Sequence, residues 1–435
     1  MGTEPTVGLD AADPDCPRPG QAREAAMAHS STETAPARQA RRARRLPPVF
    51  GAMFLMATSA IGPGFITQTT RFTAQLGAAF AFAILASVLL DIAVQLNVWR
   101  IVGVAGRRAQ DLGNTVLPGA GYVLAGLDVV GGLIFNLGNV AGCALGLNAL
   151  LGLDVRTGGA VSALLAVAVF LVRRAGTVMD RVVVVLGALM IAMTLYVVFV
   201  SRPPVRDALR QTVAPDRLDF LVITTLVGGT VGGYIVYSGA HRMLDSGVTG
   251  ADRVGEITRA SVNGILLTAL MRVLLFLAVL GVVAGGYVLN PDNPAPSAFQ
   301  HALGEAGVRL FGLVMWIAAI TSVIGASYTS VSFTVSFHPL VERYRNALVV
   351  AFVAVTAVLY LAIGAGPVRL LVLAGALNGL ILPVGLGLLL WVAARRSDDL
   401  LHAYRYPRWL LAAGLVAWVI TLYLSWTSLT KLGTL

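Results

Sequence analysis

Two glycine-rich interruptions lie inside apolar stretches of membrane length. They are Gly62-Pro63-Gly64, within MATSAIGPGFITQTT, and Gly232-Gly233, within TLVGGTVGGYIVYSG, roughly 170 positions later. Hydrocarbon offers no hydrogen bonds to an unwound backbone, so such breaks persist only where they line a cavity inside the protein. Paired breaks at matching places in two halves of a membrane protein mark a substrate site at the bilayer midplane.

Composition agrees with a chain that lives in lipid. It is 57% hydrophobic and 12% charged, with a mean hydropathy of +0.78, which excludes a soluble globular protein. The net charge of +10 is almost all arginine, Lys431 being the one lysine. These arginines are scattered between apolar spans, so they read as topology signals and not as a nucleic-acid surface. The two cysteines, Cys16 and Cys143, fall in a polar stretch and an apolar span, and support neither a disulfide framework nor a thiolate metal cluster. Residues 1–47 carry no apolar signal-peptide core. They read as a disordered cytoplasmic tail ending in a basic collar, RQARRARR, at Arg38–Arg45. No H-E-x-x-H, G-x-S-x-G or P-loop sequence occurs, so neither an enzyme nor a cofactor is expected.

A spanning helix needs about 20 apolar residues. Eleven candidates run over 48–76, 78–101, 118–150, 158–173, 181–201, 219–244, 260–288, 306–334, 347–365, 367–393 and 408–428. With the N-terminus inside, twenty arginines flank the cytoplasmic ends, against eight basic residues outside. An odd number of spans then puts the C-terminus outside the plasma membrane. Spans one to five and six to ten form two sets. Their odd length makes them cross in opposite senses, the inverted-repeat logic of secondary transporters. The expected organisation is a tail over 1–47, a first five-helix repeat over 48–201, an inverted second repeat over 202–393, and an eleventh helix within 394–435. Glycines at 138, 142 and 146, and at 375 and 379, have the four-residue spacing of close helix packing.

The stretch Gly62-Pro63-Gly64-Phe65-ITQTTRFTAQLG resembles the first-helix signature of the NRAMP metal transporters, an Asp-Pro-Gly-Asn tetrad followed twelve positions later by a glycine, here Gly77. GGTVGGYIVYSG is similar to the sixth-helix segment holding that family's Met-Pro-His-Asn motif. Gly142-CALGLNALLG and the Gln95 region with VGVAGRRAQDL match its third helix, and its second helix and following loop. The resemblance covers roughly residues 48–430. It implies an all-α polytopic membrane fold of eleven transmembrane helices, a LeuT-type 5+5 inverted repeat with helices one and six broken. The family's functional residues do not carry over. Its metal-ligating Asp, Asn and Met match Gly62, Phe65 and Gly232, and the rest of the second motif falls on Gly233, Tyr234 and Ile235. Its third-helix acidic pair matches Asn136 and Asn139, and its second sixth-helix histidine matches Gly239, while Tyr237 keeps the family tyrosine. No side-chain metal ligand remains at the site, and a divalent ion needs oxygen, nitrogen or sulfur donors.

Glycines at a helix break expose N–H groups, and a half-helix N-terminus adds positive partial charge. Gly62, Gly64, Gly232 and Gly233 therefore suit a small organic anion or amino acid. Phe65, Tyr234 and Tyr237 pack its body, and Thr67, Gln68, Thr69 and Thr70 supply donors and acceptors, unless the threonines only bond their own backbone. Arg71 is costly at membrane depth. It either holds a cargo carboxylate, gates the outer vestibule, or pairs with Asp91 or Asp128. Those two acids are candidates for a coupling H⁺ or Na⁺, or else ion-pair and packing partners. Asn136, Asn139 and His241 complete the relay candidates. Arg272, Asn263 and Asn378 rank below these, since polar residues facing a bundle interior often serve packing.

The expected function is an NRAMP-like secondary active transporter for a small carboxylate or amino-acid-like molecule. The resemblance of this motif-lacking branch to proteins encoded beside 5-oxoproline-degrading enzymes makes 5-oxoproline the example. The alternative is the family default, a divalent cation such as Mn²⁺, Fe²⁺ or Mg²⁺. The expected partners are the cargo, a coupling ion and the bilayer.

Overall fold

Within hydrocarbon an α-helix satisfies its own backbone. Every regular element of the computed structural model is accordingly a helix among the described residues, which are Gly2, 60–171, 175–364 and 366–430. The tail expected over 1–47 therefore lies outside the described residues, Gly2 apart, as does the first half of the first span. All described helices belong to one compact unit, Pro48–Leu435. They are α1 (Pro63–Leu76), α2 (Phe80–Ala105), α3 (Ala109–Val116), α4 (Ala120–Leu151), α5 (Val155–Leu171), α6 (Ala175–Ser201), α7 (Val205–Val213), α8 (Phe220–Thr230), α9 (Ile235–Asp245), α10 (Val254–Ala284), α11 (Pro294–Ser332), α12 (Pro339–Arg343), α13 (Arg345–Ile363), α14 (Pro367–Arg395) and α15 (Arg408–Leu429).

Among the described residues, eight helices are long and apolar enough to cross a membrane, or nine if the pair bent by 107° at the α6–α7 junction is one span. The eleven-span expectation differs for physical reasons. Residues 63–105 form one continuous stretch of 43 residues, yet at about 1.5 Å per residue that is twice a bilayer core. It turns at Gly77, whose φ of 57° is open to glycine. At 17 residues, α5 is one of the shorter apolar helices.

The small-residue stripes do the packing expected of them. A Cβ on Gly142 of α4 would sit 2.1 Å from the Pro63 ring, and one on Gly146 would sit 2.7 Å from the Trp316 backbone nitrogen of α11. A Cβ on Gly379 of α14 would lie 2.7 Å from the Thr224 carbonyl of α8. Pro383 inside α14 has no N–H for the Gly379 carbonyl. The Ser425 hydroxyl of α15 donates to that oxygen instead, at 3.3 Å. The Trp418 indole donates to the Pro383 carbonyl at 2.9 Å. The last helix is thus stitched to α14 where the proline would otherwise leave bare backbone in lipid.

Candidate functional site

Ala60 is helical, Ile61 and Gly62 form a bend, and α1 begins at Pro63. Gly62 caps α1 in an extended conformation (φ −89°, ψ −176°), and its carbonyl accepts from the Ile66 amide at 3.3 Å. Proline at the first helical position has no N–H to waste, so the first-turn amides offered to the gap are those of Gly64 and Phe65. The α-carbon of Gly62 faces a polar corner. A Cβ there would lie 3.1 Å from the Ser322 hydroxyl of α11 and 3.6 Å from Asn139 Oδ1 of α4.

The second break runs from Val231 to Tyr234, between α8 and α9. Here the expectation of four bare amides needs correction. The Gly232 N–H donates to the Val227 carbonyl at 3.1 Å, beside the Val231 N–H to the same oxygen at 2.9 Å. The end of α8 tightens around Val227 and consumes that donor. Gly233 is left-handed (φ 48°), and among the described residues its amide and that of Tyr234 make no backbone hydrogen bond. The two breaks converge on one side chain. The fully buried Tyr234 hydroxyl lies at Asn139, the residue that also borders Gly62. Tyr234 Oη and Asn139 Oδ1 both lack a hydrogen-bond partner.

The buried charge beside the breaks is Arg272 of α10. Its guanidinium stacks on the Phe65 ring, 4.3 Å from the centroid. It is 2% exposed, and its Nε and Nη2 have no hydrogen-bond partner. The opposing charge is Asp91 of α2, with the Thr230 hydroxyl, the last residue of α8, beside the carboxyl. Arg272 therefore lies against the start of α1, and Asp91 lies near the end of α8. An arginine at the centre of a membrane helix costs about 3 kcal/mol on insertion scales, and a desolvated cation–π contact returns about 2 kcal/mol. An ion pair with Asp91 or Asp128 is one of the alternatives that the sequence leaves open to Arg71. Arg71 lies two turns along α1, half-buried, and among the described residues no ion pair reaches it.

Other expected site residues divide. The Thr69 and Thr70 hydroxyls donate to the Phe65 and Ile66 carbonyls, at 2.7 and 2.9 Å, so they serve α1 itself. Gln68 wedges between helices: its amide donates to the Leu371 carbonyl of α14 at 3.0 Å, while Oε1 lies against Gly229 of α8. Thr67 is buried. Asn139 donates to Asn136 at 3.4 Å, and Asn136 donates to the Ser327 hydroxyl at 2.9 Å, forming a neutral ladder on α4 and α11. Asn378 of α14 donates to the Gly131 and Ala374 carbonyls, at 3.1 and 2.9 Å. Its Oδ1 fills the space beside Gly233. The place of the family's second histidine, Gly239, is filled by Trp99 of α2. A Cβ there would overlap the indole at 2.0 Å, and that indole donates to the Val236 carbonyl at 2.9 Å. A cleft of about 390 Å³ lies apart from both breaks, at the end of α4 among Asn148, Asn290, Asn293 and Arg309.

Toward the arginine-rich end, Asp128 of α4 is fully buried with neither carboxyl oxygen hydrogen-bonded, and Tyr237 lies within its field. Tyr237 packs edge-on against Phe333 at 5.3 Å. His241 Nδ1 meets the Ser332 hydroxyl at 2.9 Å. Below them Arg108 bonds the Ser332 carbonyl at 2.6 Å and Asp245 at 3.0 Å. Arg345 of α13 reaches the other oxygen of Asp245 at 3.8 Å and stacks on Tyr328. Asp245 thus ties the end of α9 to two neighbours and closes this end of the bundle. Asp245→Asn is expected to raise maleimide labelling of a Ser332→Cys variant several-fold. An unchanged labelling rate would show that the carboxylate holds nothing shut.

With this geometry in hand, known proteins supply the context. The family described as natural resistance-associated macrophage protein-like matches residues 53–431. A Haemophilus influenzae protein named "Uncharacterized membrane protein" is 51% identical over 377 residues, covering 87% of this chain and 94% of its own length. Bacillus subtilis YcsG, also named an uncharacterized membrane protein, is 48% identical over 372 residues, covering 86% and 91%. Among solved structures, the Eremococcus coleocola manganese transporter superposes with a TM-score of 0.67 at 15% identity, covering 88% of this chain and 86% of its own. MhsT in complex with L-phenylalanine superposes with a TM-score of 0.64 at 15% identity, covering 87% and 98%. The likeness to the solved structures establishes the LeuT-type fold.

Proposed function

The chain belongs to the natural resistance-associated macrophage protein-like family, and we propose that within it this protein is a secondary transporter whose cargo is a small carboxylate, with 5-oxoproline as the example. The observation that carries this reading is the buried Arg272 guanidinium on Phe65, with two nitrogens lacking partners. A permanent cation beside the breaks repels Mn²⁺ and attracts a carboxylate, and in low dielectric this term outweighs the weaker dipoles around it. The first-turn amides of α1 add to the same preference.

The rest of the pocket favours a lactam. Tyr234 Oη can donate and Asn139 Oδ1 can accept, and the two residues lie together in the site. A lactam presents a C=O and an N–H side by side, matching both. Phe65 and Tyr234 give its ring apolar walls. Transport is alternating access, with the five-helix sets 48–201 and 202–393 rocking about the breaks, the N-terminus cytoplasmic and the C-terminus outside.

Divalent metal transport is the second reading, because a fold neighbour is a manganese transporter. Proteoliposomes containing the purified full chain separate the two. Saturable uptake of radiolabelled 5-oxoproline, or of another member of a panel with acetate, lactate and proline, is expected, with Mn²⁺ neither carried nor competing. Saturable Mn²⁺ uptake with every carboxylate inert would replace this reading by the second.

A further inference from the structure

Asp128 is the one charged residue of α4. It is fully buried, neither carboxyl oxygen is hydrogen-bonded, and among the described residues no ion pair reaches it. A bare carboxylate among membrane helices is untenable, so something must neutralise it. Residues three and four positions further on share its face of the helix. These are Gly131 and Gly132, and a buried oxygen stands against each. A Cβ on Gly131 would lie 2.9 Å from Asn378 Oδ1 of α14, and one on Gly132 would overlap the Ser330 hydroxyl of α11. Both oxygens lack a hydrogen-bond partner. The Asn378 amide cannot turn over to change this, because its NH₂ group donates to the Gly131 and Ala374 carbonyls. The same Oδ1 borders Gly233 in the second break.

We propose that Asp128, Ser330 and Asn378 form a binding site for one monovalent hard cation, Na⁺. Hard cations take oxygen ligands, and a carboxylate, a hydroxyl and an amide carbonyl are all of that kind. One carboxylate balances one positive charge. A divalent ion would leave a charge of +1 in low dielectric. A proton would neutralise Asp128, but it could serve at most one of the two neutral oxygens and leave the other buried without a partner. A cation meets all three groups at once.

This site is separate from the cargo pocket, and the inference holds whatever the cargo is. The Tyr234 ring lies across Gly132, with Cδ1 3.7 Å from a Cβ there, while its hydroxyl reaches Asn139 beside the first break. At about 1.5 Å per residue, Asp128 and Asn139 stand ~16 Å apart along α4. The neighbouring helices bring no counter-charge to the level of Asp128. Arg369 and Arg395 lie near the ends of α14, Glu305 and Arg309 lie more than 20 residues before Ser330 on α11, and Arg242 and Asp245 lie at the far end of α9. An ion held here joins α4, α11 and α14 beside the second break.

The test is equilibrium dialysis of the purified full chain in detergent against ²²Na⁺, without cargo, together with melting temperature in NaCl and in choline chloride at one ionic strength. The wild-type chain is expected to bind about one Na⁺ and to melt about 2–5 °C higher in saturating NaCl than in choline chloride. Asp128→Asn, a neutral side chain of the same shape, should bind no Na⁺ and melt alike in both salts. Ser330→Ala keeps the carboxylate and should weaken Na⁺ binding by about tenfold. Absence of ²²Na⁺ binding by the wild-type chain overturns the inference, and a melting temperature raised by mild acid in place of Na⁺ would then assign a proton to Asp128. Na⁺ binding that persists unchanged in Asp128→Asn overturns it as well. If Asp128→Asn does not fold, dialysis of the wild type and of Ser330→Ala decides, unchanged affinity in Ser330→Ala counting against the site.

Discussion

Arg272→Gln is expected to lower carboxylate uptake by about 10- to 100-fold, since a hydrogen bond between charged groups is worth about 1.5–3 kcal/mol. The change also removes the opposite charge from the field of Asp91, which is 1% exposed, so it is expected to lower stability as well as uptake. Lost uptake alone would not separate a missing ligand from a damaged fold. The double variant Arg272→Gln/Asp91→Asn does. It places two neutral amides of similar shape where the ions stood, so melting temperature in detergent should recover most of what the single change lost. Uptake should not recover. Arg71→Gln, two turns from the break and half-buried, is expected to have a much smaller effect on uptake. Recovery of transport in the double variant, or equal losses at Arg71 and Arg272, would remove Arg272 from the cargo site.

How far the sequence went depends on what sets each feature. The bilayer's demand for satisfied backbone made the helices, the two breaks and the packing stripes legible. Gly62-Pro63-Gly64 and Gly232-Gly233 sit in the structure where apolar periodicity is interrupted. The transporter fold followed from the same pattern. Side-chain pairing was not legible, because it depends on rotation of α10 about its own axis. Arg272 and Asp91 are about 180 positions apart, and linear reading offered Asp91 only as one of two possible partners for the nearer Arg71. The fate of each glycine amide was hidden too. Gly62 and Gly232 look alike in sequence, but Gly232 is closed by the Val227 carbonyl. The glycine at 239 became intelligible only with Trp99 lying across it.

The sharpest consequence concerns the family's metal ligand. Gly232→Met is expected to abolish folding or uptake, and not to create a metal site. A Cβ at Gly232 would stand 2.4 Å from the Gly228 α-carbon, 2.6 Å from the Gly228 carbonyl oxygen and 2.8 Å from the Asn378 carbonyl oxygen. All three are backbone atoms, so no rotamer change relieves them. The cost should exceed the ~1–3 kcal/mol typical of overpacked cores. The two other lost ligands behave differently. At Gly62 the tightest neighbour is a side-chain atom and not backbone, the Ser322 hydroxyl at 3.1 Å, and Phe65→Asn leaves a smaller side chain. Gly62→Asp/Phe65→Asn should therefore fold, yet gain no Mn²⁺ uptake, because Arg272 remains over position 65 and pairs with the new carboxylate. Adding Gly232→Met should collapse expression and melting temperature. If the triple variant instead folds like the parent and takes up Mn²⁺ saturably, the packing around Gly232 is not what bars a metal ligand there. The family's cation chemistry would then be separated from this chain by three side chains alone.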